Sequence, residues 1–323
     1  MNYGLPYKGS KNKLAPKIFE LFPQKKNFYD LFCGGGAVTH YALLSNKFEK
    51  VYQNDINKDC LDLFIDAAKG KYRNETRWIS REDFFRLKDV EPYISFCWSF
   101  GNNLRDYLYA KDLEESKKVW HYAVFFDDFE PAKKILNVDF SPIKKINNRY
   151  KKYLESKKIL GEHRQLYHFL NENRLQSLQS LESLERLERL ERLERLERLE
   201  RLERLERLER LEQFSTDYQN VKIYKDSVIY CDIPYENTNV YTLDKKQNFD
   251  FERFYSWCEK QTEPVFISSY KMPEDRFICI ATFEHRSILS ATANNKVLEK
   301  VFIPKHQTSS YRLPGSLFNF DEM

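Results

Sequence analysis

The stretch "NFYDLFCGGGAVTHYALLSNKF", residues 27–48, restricts the fold more than any other part of the chain. An apolar run enters three consecutive glycines and leaves them as "AVTHYALLSNKF", which reads as a helix. "KVYQNDIN", 50–57, follows as a second strand ending in Asp55, and "KDCLDLFIDAAKGK" as a helix with apolar residues at 61, 64, 65 and 68. Strand, turn, helix, strand in this order requires a parallel sheet with right-handed crossovers. Sheets of that kind bind ligands outside the carboxyl ends of their strands.

The α/β alternation stops near residue 71. From 71 to 173 aromatic and basic residues mix without a clean period, as in "SPIKKINNRYKKYLESKKI", and the region reads as a mostly helical insertion. The alternation resumes with "SVIYCDIPY" (strand), "FDFERFYSWCEKQ" (helix), "PVFISSY" (strand) and two terminal strands, "FICIATFEHRSI" and "KVLEKVFIP", read as antiparallel. The expected organisation is one α/β domain split into 1–70 and 213–323, an insertion over 71–173, and a repeat over 174–212.

The repeat comprises nine Leu-Glu-Arg triplets preceded by LQS, LQS and LES. Period 3 does not match 3.6, so on an α-helix the leucines spiral and define no fixed face. The same spacing sets each Glu four residues before an Arg (Glu185 with Arg189, Glu188 with Arg192), an orientation worth about 0.2–0.5 kcal/mol per pair. All three residue types are strong helix formers. A long helix acting as a spacer is expected, with a solenoid of triplets as the competing arrangement.

With 323 residues and 41% hydrophobic content, the chain can bury one large or two modest cores. No apolar run approaches the roughly 20 residues that span a bilayer, and residues 1–16 lack the apolar core of a signal peptide. The six cysteines are scattered, with no C-x-x-C pair, which argues against structural zinc and a disulfide framework. A cytoplasmic protein without metal is expected. Net charge is +4; outside residues 175–212, 44 basic residues face 38 acidic ones, a modest excess compatible with a polyanionic partner.

Three short segments carry chemistry. In "YDLFCGGGAVT", glycines let the backbone turn tightly before a helix N-terminus that favours a polar or anionic group. The spacing fits neither G-x-G-x-x-G nor a P-loop, so a plain tight turn is the alternative. Asp55, about 20 residues on, stands where an acidic side chain would take a ribose hydroxyl pair; it would serve equally as a helix cap. In "VIYCDIPYENT", 228–238, Asp232 lies just past a buried strand. Pro234 fixes φ and pushes Ile233 into extended geometry. The turn would aim a carboxylate and the Tyr235 ring at one spot, a means of holding an exocyclic amine on a planar base, with stacking worth about 1–3 kcal/mol.

These segments together resemble the DNA adenine methylase family, the N6-adenine methyltransferases that use S-adenosylmethionine. The family's Asp-Pro-Pro-Tyr stands here as Asp232-Ile233-Pro234-Tyr235, with Ile in place of the first Pro. Its Phe-x-Gly-x-Gly-x-Val is similar to Phe32, Gly34, Gly36 and Val38, and its Lys-rich N-terminal motif to "PYKGSKNKLAPKI". The resemblance covers about 1–65 and 213–305. It implies a Rossmann-like methyltransferase sheet. It also implies catalytic roles for Asp232, Ile233, Pro234 and Tyr235, and cofactor contacts from Tyr7, Lys11, Asp30, Phe32, Gly34, Gly36, Asp55 and Asp217. The implied substrate is adenine flipped out of double-stranded DNA, since its amine is out of reach inside the helix. A restriction-modification or phage-type modification role follows from the same resemblance.

Within 71–173, Asn102 and Asn103 in "SFGNN" are candidates for adenine edges, and Lys144, Lys145, Arg149 and Lys151 in "KKINNRYKK" for phosphates. A solvated loop or helix face is the alternative for each. No Cys follows a Pro, which removes a cytosine C5 mechanism. Families acting on RNA adenine or a glutamine amide usually carry Asn where Asp232 stands. A catalytically silent DNA-binding protein on the same fold is the reading from another class.

Overall fold

The computed structural model describes residues 3–170, 195, 202, 208–235, 249–286 and 296–310. They fall into two compact units, one formed by 1–71 with 198–323 and the other by 72–197.

The first unit is built on a seven-stranded sheet: β1 (Asn27–Asp30), β2 (Lys50–Asn54), β3 (Leu211–Phe214), β4 (Ser227–Asp232), β5 (Val265–Ser269), β6 (Phe277–Arg286) and β7 (Lys296–Pro304). Their spatial order is β3-β2-β1-β4-β5-β7-β6. The first five are parallel, β1 pairing with both β2 and β4. β7 enters antiparallel beside β5, and β6 is antiparallel to β7. The connection order reverses between β1 and β4, which makes the carboxyl ends of those two strands the topological switch point.

The strands are apolar on both faces because both are covered. On β1, Phe28 faces one side and Tyr29 the other. Phe28 packs with Phe19, Phe22 and Phe48, whereas Tyr29 stacks on Tyr52 at 4.3 Å between ring centroids. β4 and β5 are buried over nearly their whole length. The helices α1 (Ala15–Glu20), α2 (Ala37–Leu44) and α3 (Lys58–Ala68) belong to this unit. Asn57 caps α3 by accepting from the Asp59 amide.

One expectation is corrected here. A helix does not cover the last residues of the repeat: 208–210 form a single 3₁₀ turn, and Leu211–Phe214 form the edge strand of the sheet. The sheet outcompetes helix propensity because β2 would otherwise be an open edge. Leu211 pairs with Val51, and Phe214 stacks on Tyr52 at 6.3 Å. Arg210 donates to the carbonyls of Phe48 and Leu43, pinning the entry to the strand. Arg195 and Leu202 are helical and buried; the rest of 174–207 lies outside the described residues.

The second unit is helical where described: α4 (Arg81–Leu87), α5 (Pro92–Trp98), α6 (Glu114–Phe126), α7 (Glu130–Leu136) and α8 (Arg149–Leu170). Trp98 and Trp120 are fully buried within it. The loop after α5 is a tight hairpin. Ser99 bridges to Tyr107, and Leu108 donates to the Trp98 carbonyl. Arg195 donates to the carbonyls of Cys97 and Ser99 at its base. Among the described residues, no helix is long and apolar enough to cross a membrane.

Candidate active site

The glycine turn begins where β1 leaves the sheet. Leu31 donates to Tyr230 of β4 and Cys33 to Asn54 of β2, so the chain runs along the switch point before it turns. Gly34 and Gly36 have φ of +49° and +66°, which disfavours side chains there. Space excludes them too. A Cβ on Gly34 would sit 2.8 Å from the Tyr7 ring, and one on Gly36 2.7 Å from Phe64. Tyr7 therefore lies on the turn itself. The turn is also tied to the N-terminal segment through Leu5, which donates to Gly35 at 2.6 Å.

Asp55, past the end of β2, accepts from the Gly34 amide at 2.8 Å and the Asn57 amide at 2.9 Å. Burial raises its pKa, and those two amides oppose the rise. Asp30, at the end of β1, accepts from the backbone and hydroxyl of Thr39 in the first turn of α2. Its other oxygen is buried without a hydrogen-bond partner among the described residues. Burial pushes its pKa up to about 7, with the charges of Asp232 and Asp55 adding to the rise. Asn54 joins the ends of three strands, donating to Leu31 and Thr216 and accepting from Thr216.

β4 delivers Asp232 to the same end of the sheet. The Ile233 side chain is 2% exposed and belongs to the core with Leu31, Tyr218 and Phe254. Packing accounts for an apolar side chain at this position. Lys11 reaches across from the N-terminal segment. Its ammonium donates to both Asp232 oxygens, at 2.7 and 2.8 Å, and to the Tyr235 hydroxyl at 2.6 Å. The Tyr235 ring lies 4.2 Å from that of Tyr270, just beyond β5. From β7, Glu299 accepts from the Tyr235 hydroxyl at 2.8 Å and stands 3.9 Å from the Lys11 nitrogen.

This cluster holds one cation and two carboxylates. Burial raises the pKa of Asp232 against the opposition of Lys11 and Tyr235. Burial raises Glu299 also; Lys11 opposes that rise and Asp232 adds to it. For Lys11, burial acts downward, but Asp232 and Glu299 outweigh it and the pKa is raised.

The structure brings Tyr7, Gly34, Gly36, Asp30, Asp55, Lys11 and the 232–235 turn to one end of the sheet. Phe32 packs against Tyr218, Phe249 and Phe254. Asp217 accepts from the Gln219 amide and pairs with Arg253 at 3.0 Å. In the second unit, Asn103 spends its carbonyl on the amides of Arg105 and Asp106 and its amide on the Asp106 carboxylate, so it builds the hairpin turn. Asn102 has φ of +56° and a buried carbonyl without a partner among the described residues. Arg149 lies over the Phe125 ring and donates to the Glu75 carbonyl. Lys144, Lys145 and Lys151 are exposed.

Glu299 was not legible as a site residue, although one signal was present. In "KVLEKVFIP" it falls in phase with Val301 and Ile303, both buried, so an acid stands on the core-facing side of a strand. Tyr270 and Asn54 carried no distinguishing pattern. Among the described residues, no group of three or more His, Cys, Asp or Glu side chains is placed to hold a metal.

A seven-stranded α/β sheet, parallel over its first five strands, with a glycine turn and carboxylates at its switch point is consistent with a methyltransferase fold. The model of the D12 class N6 adenine-specific DNA methyltransferases matches residues 7–259, and the chain belongs to that family. It is an adenine-specific DNA methyltransferase, and its substrate is DNA. No curated protein matches the chain.

Proposed function

We propose that the protein transfers a methyl group from S-adenosylmethionine to N6 of an adenine flipped out of duplex DNA. The observation that carries this reading is the delivery of Asp232-Ile233-Pro234-Tyr235 by β4 to the switch point, beside the glycine turn and Asp30. The residues present fit the cofactor. Asp30 offers a cationic group a buried carboxylate oxygen without a partner among the described residues, and the glycines, packed on their Cβ sides against Tyr7 and Phe64, present backbone alone at the turn. Asp55 suits the ribose hydroxyls, and Tyr7, Gly34 and Gly36 form the wall beside it. Phe32 and Asp217 line the neighbouring edge. When bound, S-adenosylmethionine supplies an electrophilic methyl group on a sulfonium centre.

The adenine amine is a weak nucleophile because its lone pair is delocalised into the ring. Asp232 and the Ile233 carbonyl accept its two N–H bonds, which favours a tetrahedral nitrogen with a localised lone pair. Lys11 already donates to both Asp232 oxygens. Each carboxylate oxygen keeps a second acceptor site, so the amine is accepted alongside it. Tyr235 stacks on the base, and Pro234 holds the turn stiff. The second unit serves target recognition, with Lys144, Lys145 and Lys151 on phosphates, Arg149 near them, and Asn102 and Asn103 on the hairpin that faces the bases. A restriction-modification or phage-type role in the cytoplasm accords with this chemistry.

Sequencing of DNA from cells expressing the protein tests the reading. N6-methyladenine is expected in one short motif and is lost with Asp232→Ala. Methylation that survives this substitution refutes the site.

A further inference from the structure

We infer that Glu299 is a positioning residue for methyl transfer, and that it acts by drawing the Tyr235 hydroxyl proton away from Asp232. This rests on Asp232 being the acceptor for the adenine amine. The Tyr235 hydroxyl has one proton and two carboxylates within reach: Glu299 Oε1 at 2.8 Å and Asp232 Oδ1 at 3.3 Å. It also accepts from Lys11 at 2.6 Å, which orients its proton away from the ammonium and toward the acids. The shorter contact takes the larger share of the proton, and Tyr235 keeps only a long, weak 3.3 Å contact on Asp232 Oδ1.

Asp232 has to make room for two donors, Lys11 and the amine. A full third bond on Oδ1 would fill that oxygen's second acceptor position, leave only Oδ2 for the amine, and weaken the carboxylate as an acceptor. Glu299 prevents this. The cost is a carboxylate 1% exposed on a strand face shared with Val301 and Ile303, a place where a packed core favours an apolar side chain. Lys11 sits 3.9 Å from Glu299 and bonds Asp232 at 2.7 Å, whereas the Tyr235 hydroxyl bonds Glu299 directly at 2.8 Å. The position of β7 fixes the geometry. Val301 and Lys300 pair with Ser268 and Ser269, so Glu299 comes level with the residue that follows β5, next to the Tyr235–Tyr270 ring pair.

The test is a double-substitution cycle. Glu299→Leu removes the competing acceptor, and the phenol then donates to Asp232; kcat is expected to fall about tenfold or more while KM for DNA changes less than about threefold. Tyr235→Phe removes the misdirected proton, so Tyr235→Phe/Glu299→Leu is expected to retain at least the kcat of Tyr235→Phe alone. Glu299→Asp keeps the charge and fold but withdraws the acceptor by about one C–C bond, roughly 1.5 Å. It repeats the cycle in a soluble background if Leu destabilises the sheet. Losses that multiply in the double variant, or a Glu299→Leu enzyme with unchanged kcat, overturn the inference. Asp232→Ala, run alongside, separates the two claims: activity that persists there sinks the amine-acceptor reading itself, whereas a dead Asp232→Ala with multiplying Glu299 losses sinks only the role of Glu299.

Discussion

Removing the Lys11 ammonium should destabilise the first unit in a way that acid repairs. Lys11→Met keeps the stem volume and deletes the ammonium's hydrogen bonds to both Asp232 oxygens, the Tyr235 hydroxyl and the Gly9 carbonyl. Two carboxylates then lose the Lys11 charge, Asp232 at 21% side-chain exposure and Glu299 at 2%. Breaking a buried ion pair from one side costs about 3–5 kcal/mol, and the partial exposure of Asp232 puts the expected value near the lower end, about 3 kcal/mol at pH 8. Native-state hydrogen exchange of the β1 and β4 amides, read as an opening free energy, reports this locally. The pH dependence is the discriminating part. Both carboxylates already have folded-state pKa values above their unfolded ones, and loss of Lys11 raises them further. The folded variant therefore takes up protons before the unfolded chain does, and its penalty shrinks as pH falls through those folded values. The gap to the parent protein should narrow steadily as pH falls below 8, and Asp232→Asn in the Lys11→Met background should close part of it at pH 8. A penalty independent of pH, or one untouched by Asp232→Asn, refutes the charge argument and leaves only lost packing.

Cofactor affinity should weaken as pH falls through about 7, where Asp30 takes up a proton and ceases to offer a charged oxygen to a cation; Asp30→Asn should bind more weakly and without that pH dependence, as titration calorimetry would show. Gly36→Ala should cost about 2 kcal/mol or more, since it combines a left-handed φ with a clash against the buried Phe64 ring. Phe64→Leu in the same chain should recover part of that loss in thermal unfolding. Replacing Lys144, Lys145 and Lys151 by Gln should lower DNA affinity uniformly across sequences, with the slope of log affinity against log salt reduced by about 0.9 for each phosphate that is no longer neutralised.

The parallel half of the fold was legible because its signals are local. The strand into "CGGG", the helix after it and the acid closing the next strand each occupy a few contiguous residues. The antiparallel ending was legible from two long apolar runs. β3 was not, because "LEQF" opens with the same Leu-Glu that nine preceding triplets carry, and only pairing with Val51 and Tyr52 across the sheet distinguishes it. The site shows the same division. Asp232 and Tyr235 stand out through the proline between them. Lys11 was identified as a motif residue but not as the partner of Asp232, which lies 221 residues away in sequence. Glu299 depended on which face of β7 the sheet buries. Asn103 shows the limit of a polar loop as a signal, since an Asn there marks a turn as readily as a base contact, and in the fold it bonds to Arg105 and Asp106 within the hairpin.

The junction between the repeat and β3 makes the sheet indifferent to how many triplets precede it. Every Leu-Glu-Arg unit ends in the Arg that 210 supplies, and is followed by the Leu-Glu that opens the strand. Deleting or duplicating whole triplets, the outcome of replication slippage on a tandem coding repeat, regenerates Arg-Leu-Glu-Gln-Phe at the entry. The arginine anchor to Phe48 and Leu43 and the register against β2 are then rebuilt unchanged. A chain with fewer or more whole triplets would therefore carry the same edge-strand and anchor sequence.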